Sequence, residues 1–133
     1  MPIFSGFGKQ KRRPPVNKKA LGVLGEEVAS YFLEDKGYHI LKRNFYCRFG
    51  EVDLIAEKDG FLCFVEVKTR GNGALARPAE WVTAEKQRKL IQTAKYYIAG
   101  GRGQDKQPRF DCIEVYADEQ NLPCGLVLMK NAF

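Results

Sequence analysis

The stretch FLCFVEVKTR, residues 61–70, constrains this chain more than any other. Its first five residues are apolar without a break, the composition of a strand covered on both faces. Side chains alternate faces along a strand, so Glu66 and Lys68 point one way while Val65 and Val67 point the other. Burying a carboxylate and an ammonium costs several kcal/mol unless something compensates. Asp59-Gly60, just upstream, is a hairpin-turn pair, which makes EVDLIAEKD (51–59) the antiparallel neighbour of this strand.

The rest of the chain falls into place around that hairpin. From Leu21 to about Lys36 the pattern is helical, with Leu21, Leu24, Val28 and Phe32 in one stripe, Ala29 and Tyr31 flanking it, and Gly37 as the stop. YHILKRNF (38–45) reads as the first strand, followed by a turn around Arg48–Gly50. After the loop GNGALARPAE, Thr83 is a good N-cap for a second helix that carries Leu90, Ile91, Ala94, Tyr97 and Ile98 on one face. GGRGQDKQP is a mobile connection, RFDCIEVYA (109–117) a fourth strand and GLVLMKNAF (125–133) a fifth. The order is α-β-β-β-α-β-β, and the expected fold class is α/β, a mixed sheet with helices packed against it. Residues 21–133 form one domain; residues 1–20 are a basic arm that Pro14 and Pro15 keep from folding.

Charge separates the arm from the domain. The first 25 residues hold Lys9, Lys11, Arg12, Arg13, Lys18 and Lys19 and no acid, while the remainder has 16 basic and 16 acidic residues. A basic arm on a neutral body suits salt-sensitive contact with a polyanion; a solvated tail is the plainer alternative. No apolar run approaches the roughly 18 residues of a membrane span, and the N-terminus does not resemble a secretory signal. The expected location is the cytoplasm, without membrane contact. Cys47, Cys63, Cys112 and Cys124 are scattered and His39 is the single histidine, a pattern that argues against zinc and against disulfides. Cys63 and Cys112 lie in apolar strand patterns, as small core residues do.

Chemistry concentrates on the hairpin. Alternation puts Glu51, Asp53 and Ile55 on one face of the second strand, and pairing sets Asp53 beside Glu66. Two adjacent carboxylates repel, and one pKa must rise. A hard divalent cation such as Mg²⁺, held by one or two carboxylates plus waters and phosphate oxygens, removes the repulsion. Lys68 on the same face could then orient or deprotonate an attacking water, or offset charge on a phosphate. The alternative is an exposed Glu–Lys pair on an open sheet face. Glu34-Asp35-Lys36 has the same Glu-x-Lys spacing, but it sits at a helix end with no acid upstream. On the first helix, Glu26 falls at the border of the apolar stripe, able to reach over the sheet edge or merely to favour the helix dipole. On the second, Lys86 and Gln87 lie in the first turn, where a helix N-terminus can meet a phosphate.

The segments GEEVASYFLEDKGYHILKRNF, RFGEVDLIA, FVEVKTR, VTAEKQRKLIQTAKYYI, RFDCIEV and the final NAF run in order from about Leu21 to Phe133. Together they resemble the YraN-like family of bacterial proteins, placed in the restriction-endonuclease-like, or PD-(D/E)XK, superfamily with kinship to Holliday junction resolvases. The resemblance implies a mixed sheet flanked by helices and a Mg²⁺- or Mn²⁺-dependent DNA endonuclease. Carried over, Asp53 and Glu66 are the metal-binding acids, the Val67 carbonyl a further ligand and Lys68 the catalytic lysine. Glu26 is the extra acid of the first helix, binding a second metal ion or its water, and Gln87 or Lys86 an auxiliary polar group. Val52 replaces the superfamily's proline, a structural residue. Arg48, Arg70 and Arg77, near strand ends, are the expected phosphate contacts. Branched DNA as substrate and action as a homodimer follow by analogy only. Two rival readings stay open, a non-catalytic nucleic-acid-binding module on the same fold and a protein-partner adaptor.

Overall fold

The computed structural model describes residues 18–71 and 83–133. Arg77 and the arm through residue 17 lie outside them. Helix α1 (Lys18–Asp35) is followed by β1 (His39–Cys47), β2 (Gly50–Lys58) and β3 (Phe61–Arg70), then α2 (Ala84–Ala99), β4 (Gln107–Ala117) and β5 (Pro123–Met129). This is the expected order with shifted boundaries, among them the start of α1, whose first turn takes in residues 18–20. The five strands form one sheet in the order β1-β2-β3-β4-β5. Neighbours are antiparallel except β3 and β4, which are parallel. A parallel pair needs a crossover, and α2 lies within it.

Local chemistry sets the ends of the elements. At the end of α1, Gly37 takes φ +93°, the Gly37 N–H donates to Glu34 O and the Tyr38 N–H to Leu33 O. That is a Schellman stop, completed by apolar contact between the residues that bracket it; Leu33 and Tyr38 share one core cluster. Asp59 and Gly60 both have positive φ (52° and 84°), as a two-residue hairpin turn matched to strand twist requires. Thr83 caps α2, its side-chain oxygen accepting from the Lys86 N–H at 3.1 Å. Among the described residues no helix is long and apolar enough to cross a membrane.

The core has two layers. On one sheet face Ala29 and Leu33 of α1 pack with Leu54, Ala56, Cys63, Val65, Ile113 and Val115. On the other, Leu90, Ala94 and Tyr97 of α2 pack with Phe45, Val52, Ile55, Leu62 and Phe64. Burial pushes the Cys63 and Cys112 thiols up to about 12, so both stay protonated as plain core residues.

Three details of the expected packing are corrected. On α1 the line of closest approach runs through Gly25, Ala29 and Leu33; Val28 and Phe32 only border it, and Tyr31 is 76% exposed. The helix lies so near the sheet that Gly25 and Ala29 mark the first part of the contact, with Leu33 filling the space at its end. On α2, Ile91 faces outward and Thr93 is buried instead, its hydroxyl donating to Lys89 O at 2.8 Å. β5 ends at Met129, before the expected 133, because Asn131 turns the chain with φ +52°. The Asn131 N–H then donates to Asp111 Oδ1 at 3.0 Å, and Phe133 stacks on Phe110 at 5.2 Å.

Candidate active site

The β2–β3 ladder starts at Lys58↔Phe61 and ends at Leu54↔Val65. The next pair in register would be Asp53 and Glu66. In its place the Asp53 carboxylate itself enters the ladder, Oδ2 accepting the Val67 N–H at 2.8 Å. A residue's N–H and C=O leave a strand on the same side, which turns the Val67 carbonyl toward the same gap. Val52 and Ile55 both join the α2-side cluster, so the alternation expected for Glu51, Asp53 and Ile55 breaks between Val52 and Ile55. An aspartate short enough to cap a backbone N–H is drawn between the strands.

Glu66 follows Phe64 on the α2 side, and the Lys86 ammonium from the first turn of that helix reaches its Oε2 at 3.2 Å. Glu26 arrives from the opposite layer on α1. Its carboxyl is influenced by Asn44 and by the charges of Asp53 and Glu51. The gap between β2 and β3 is therefore approached from both faces of the sheet.

Electrostatics follow from that crowding. Burial, then the charge of Asp53, push the Glu66 carboxyl up to about 7 against the pull of Lys86. Burial also raises Asp53, with Glu51 adding to it and the Val67 N–H and Lys86 opposing. Glu26 is raised as well, first by burial and then by Asp53. Three acids sit above their ordinary values in one place, a state that nearby positive charge relieves.

The remaining candidates fall in different places. Lys68 shares the Glu66 side of β3 by alternation, opposite Glu114 in the parallel register; among the described residues no hydrogen bond or ion pair is drawn to its ammonium. Gln87 is half-buried beside Lys86. Arg48 is exposed at the β1–β2 turn, stacked on Phe49 at 4.9 Å. Arg70 turns inward instead: its guanidinium meets Glu114 Oε2 at 3.0 Å and its side chain is 13% exposed.

Two further residues belong to the cluster. Asn44 stands across β1–β2 from Asp53, between the pairs Arg43↔Leu54 and Phe45↔Val52, with φ +52°. Its signal in the sequence is an Asn inside a strand, the residue that tolerates a left-handed turn. Glu51 raises Glu26, Asp53 and Glu66 through its charge.

Among the described residues no three His, Cys, Asp or Glu side chains converge to hold an ion alone. Asp53, Glu66 and the Val67 carbonyl are oxygen donors that could hold a hard cation only with waters or other oxygens completing its shell.

Relatives of this chain are easily found. A UPF0102 protein of Caldanaerobacter subterraneus subsp. tengcongensis is 47% identical over 107 residues, covering 80% of this chain and 88% of that one. One from Caldicellulosiruptor saccharolyticus is 44% identical over 118 residues, covering 89% and 100%. One from Clostridium acetobutylicum is 45% identical, covering 89% and 96%. The sequence profile of the uncharacterised protein family UPF0102 matches residues 25–115, a span that holds Glu26, Asp53, Glu66, Lys68 and Lys86, and the chain belongs to that family, the YraN-like family of the sequence resemblance.

Proposed function

We propose that the protein is a metal-dependent DNA endonuclease. The observation that carries the reading is the Asp53–Glu66 pair at the point where β2 and β3 part, with Asp53 seated on the Val67 N–H and Glu66 raised to about 7. Two repelling acids in that gap are costly to hold there, and a cation between them offsets the cost. A bound Mg²⁺ or Mn²⁺ would supply Lewis-acid polarisation of the phosphate and a more acidic water.

The chain's own residues do the rest. Asp53, Glu66 and the Val67 carbonyl would hold the ion. Glu26 accepts a hydrogen bond from a water on the α1 side. Lys68 orients the attacking water and offsets charge as the phosphorus gains its fifth oxygen. A P–O bond forms to the water oxygen and one P–O ester bond breaks; the water gives up a proton to solvent, and the departing oxygen takes one up. Lys86, at the N-terminus of α2 and paired with Glu66 at 3.2 Å, is placed to meet a substrate phosphate. Branched DNA remains the substrate suggested by the superfamily resemblance.

One observation favours a second reading, a DNA-binding module without catalysis: Lys86 already neutralises Glu66 at 3.2 Å. Cleavage of labelled single-stranded, duplex, flap and four-way-junction DNA with Mg²⁺ or Mn²⁺ decides between them. We expect cutting by the wild type that Asp53→Ala and Lys68→Ala each abolish, by a factor of at least about 100. Cutting that survives Asp53→Ala sinks the site. DNA retained by all three proteins without any cutting supports the binding module.

A further inference from the structure

The GGRG turn between α2 and β4 takes no part in the chemistry above, yet its geometry is specific. Gly101 and Gly103 both adopt positive φ (89° and 69°), which other side chains rarely do. The turn between them lays the Arg102 guanidinium 4.4 Å over the Tyr97 ring and 5.7 Å from that of Phe45. These three groups, with Lys42, Asn44 and Tyr46, line a cavity of about 400 Å³ along the free edge of β1. That size lies within the range of small-molecule sites, about 300–1,000 Å³.

Its surroundings alternate rings and cations. Tyr46 is 68% and Tyr96 45% exposed; Tyr96 meets Phe45 at 6.5 Å and Phe49 at 6.0 Å, and Arg48 covers Phe49. Among the described residues no acid forms an ion pair with Lys42, Arg48 or Arg102. Asn44 lines the cavity and stands across β1–β2 from Asp53, between the pairs Arg43↔Leu54 and Phe45↔Val52. The cavity and the acid cluster thus adjoin through β1.

We propose that this cavity seats an unpaired nucleotide of the DNA strand held at the Asp53–Glu66 site, an inference that rests on the endonuclease reading. Exposed rings beside unpaired cations are what single-stranded nucleic acid uses, bases stacking on aromatic faces and phosphates meeting the charges. A duplex keeps its bases inside the stack and has nothing to place there. A second copy pairing along β1 is disfavoured, because it would set Lys42 and Arg43 of both chains against each other.

The test measures fluorescence anisotropy of the full chain in EDTA, where nothing is cut. The probes are a blunt duplex and the same duplex with a single-stranded tail, and the variants are the exposed Tyr46→Ala and Arg102→Gln. The wild type should prefer the tailed probe by about fivefold or more, the range of one stacked base. Each variant should lose that preference while binding the blunt duplex as before. A preference kept in both variants overturns the cavity's role, leaves it to a protein strand on the β1 edge, and does not touch the nuclease if the panel is still cut. A preference lost in the variants with no cutting under Mg²⁺ keeps the cavity and removes the nuclease. A wild type that binds both probes equally, or neither, overturns the proposal.

Discussion

Glu66 pits two demands against each other. Its side chain is 14% exposed and has the Asp53 charge beside it, so the folded protein holds its proton up to about pH 7 where the unfolded chain releases it near 4.5. Between those values the native state binds more protons than the unfolded one. Stability from this group is therefore fully present below about pH 4.5 and is lost as pH rises through 7, by something on the order of 2–3 kcal/mol. Thermal unfolding across that window should show the wild type falling relative to Glu66→Gln, which carries no titrating group there. Parallel profiles for the two proteins would remove Glu66 as the cause. Added Mg²⁺ should raise the Tm of the wild type above pH 7, since a ligand that binds only the folded state stabilises it. The same addition should leave Asp53→Ala unmoved.

At the scale of elements, the site depends on how closely α1 lies on β3. A Cβ on Gly25 would sit 1.8 Å from Thr69 Oγ1, so the helix rests on the strand through a residue with no side chain. Gly25→Ala must push α1 outward, and Glu26, the next residue, moves with it. We expect a loss of about 1–3 kcal/mol, the usual cost of overpacking. Cleavage should fall further than stability does, and Thr69→Ala added to the variant should recover part of both. Equal stability in Gly25→Ala and wild type would mean that the helix is not seated there. This contact also marks where sequence reasoning stops. Counting outward from the Asp59-Gly60 turn sets Asp53 opposite Glu66, so the acid pair was legible from a two-residue turn. The Schellman stop at Gly37 and the Thr83 cap were legible for the same reason, as local chemistry. The splay at Asp53 was not, because it depends on which acceptor wins the Val67 N–H. Nor was the contact line of α1, since Gly25 and Ala29 mark it only once Thr69 is known to lie beneath. Arg70 read as a surface cation because Glu114 is far away in sequence.

Across the whole molecule, two neighbouring clusters on the central strands treat buried acids in opposite ways. Midway along β4, one register step from the Glu66↔Cys112 pair, Asp111 is 1% exposed but fully served: Arg109 Nε and Nη2 donate to it at 2.9–3.1 Å, and the Asn131 N–H adds a third donor group. Arg109 Nη2 also donates to Tyr38 Oη at 3.0 Å and the guanidinium lies 4.7 Å over Phe61. This cluster ties the first loop, β3, β4 and the chain beyond β5 into one unit, reinforced by the Phe64–Phe110–Phe133 stack. In the other cluster, Glu26, Asp53 and Glu66 are crowded and raised. Removing an acid should accordingly have opposite signs in the two clusters. Asp111→Ala leaves Arg109 buried without its partner and should cost about 3–5 kcal/mol, seen as an earlier denaturant midpoint with an unchanged slope. Glu66→Gln removes a charge that the fold holds at a cost and should raise the midpoint above pH 7 while abolishing metal-dependent cutting. If both substitutions destabilised alike, the acids in the β2–β3 gap would be structural, and the case for a catalytic centre there would fall with them.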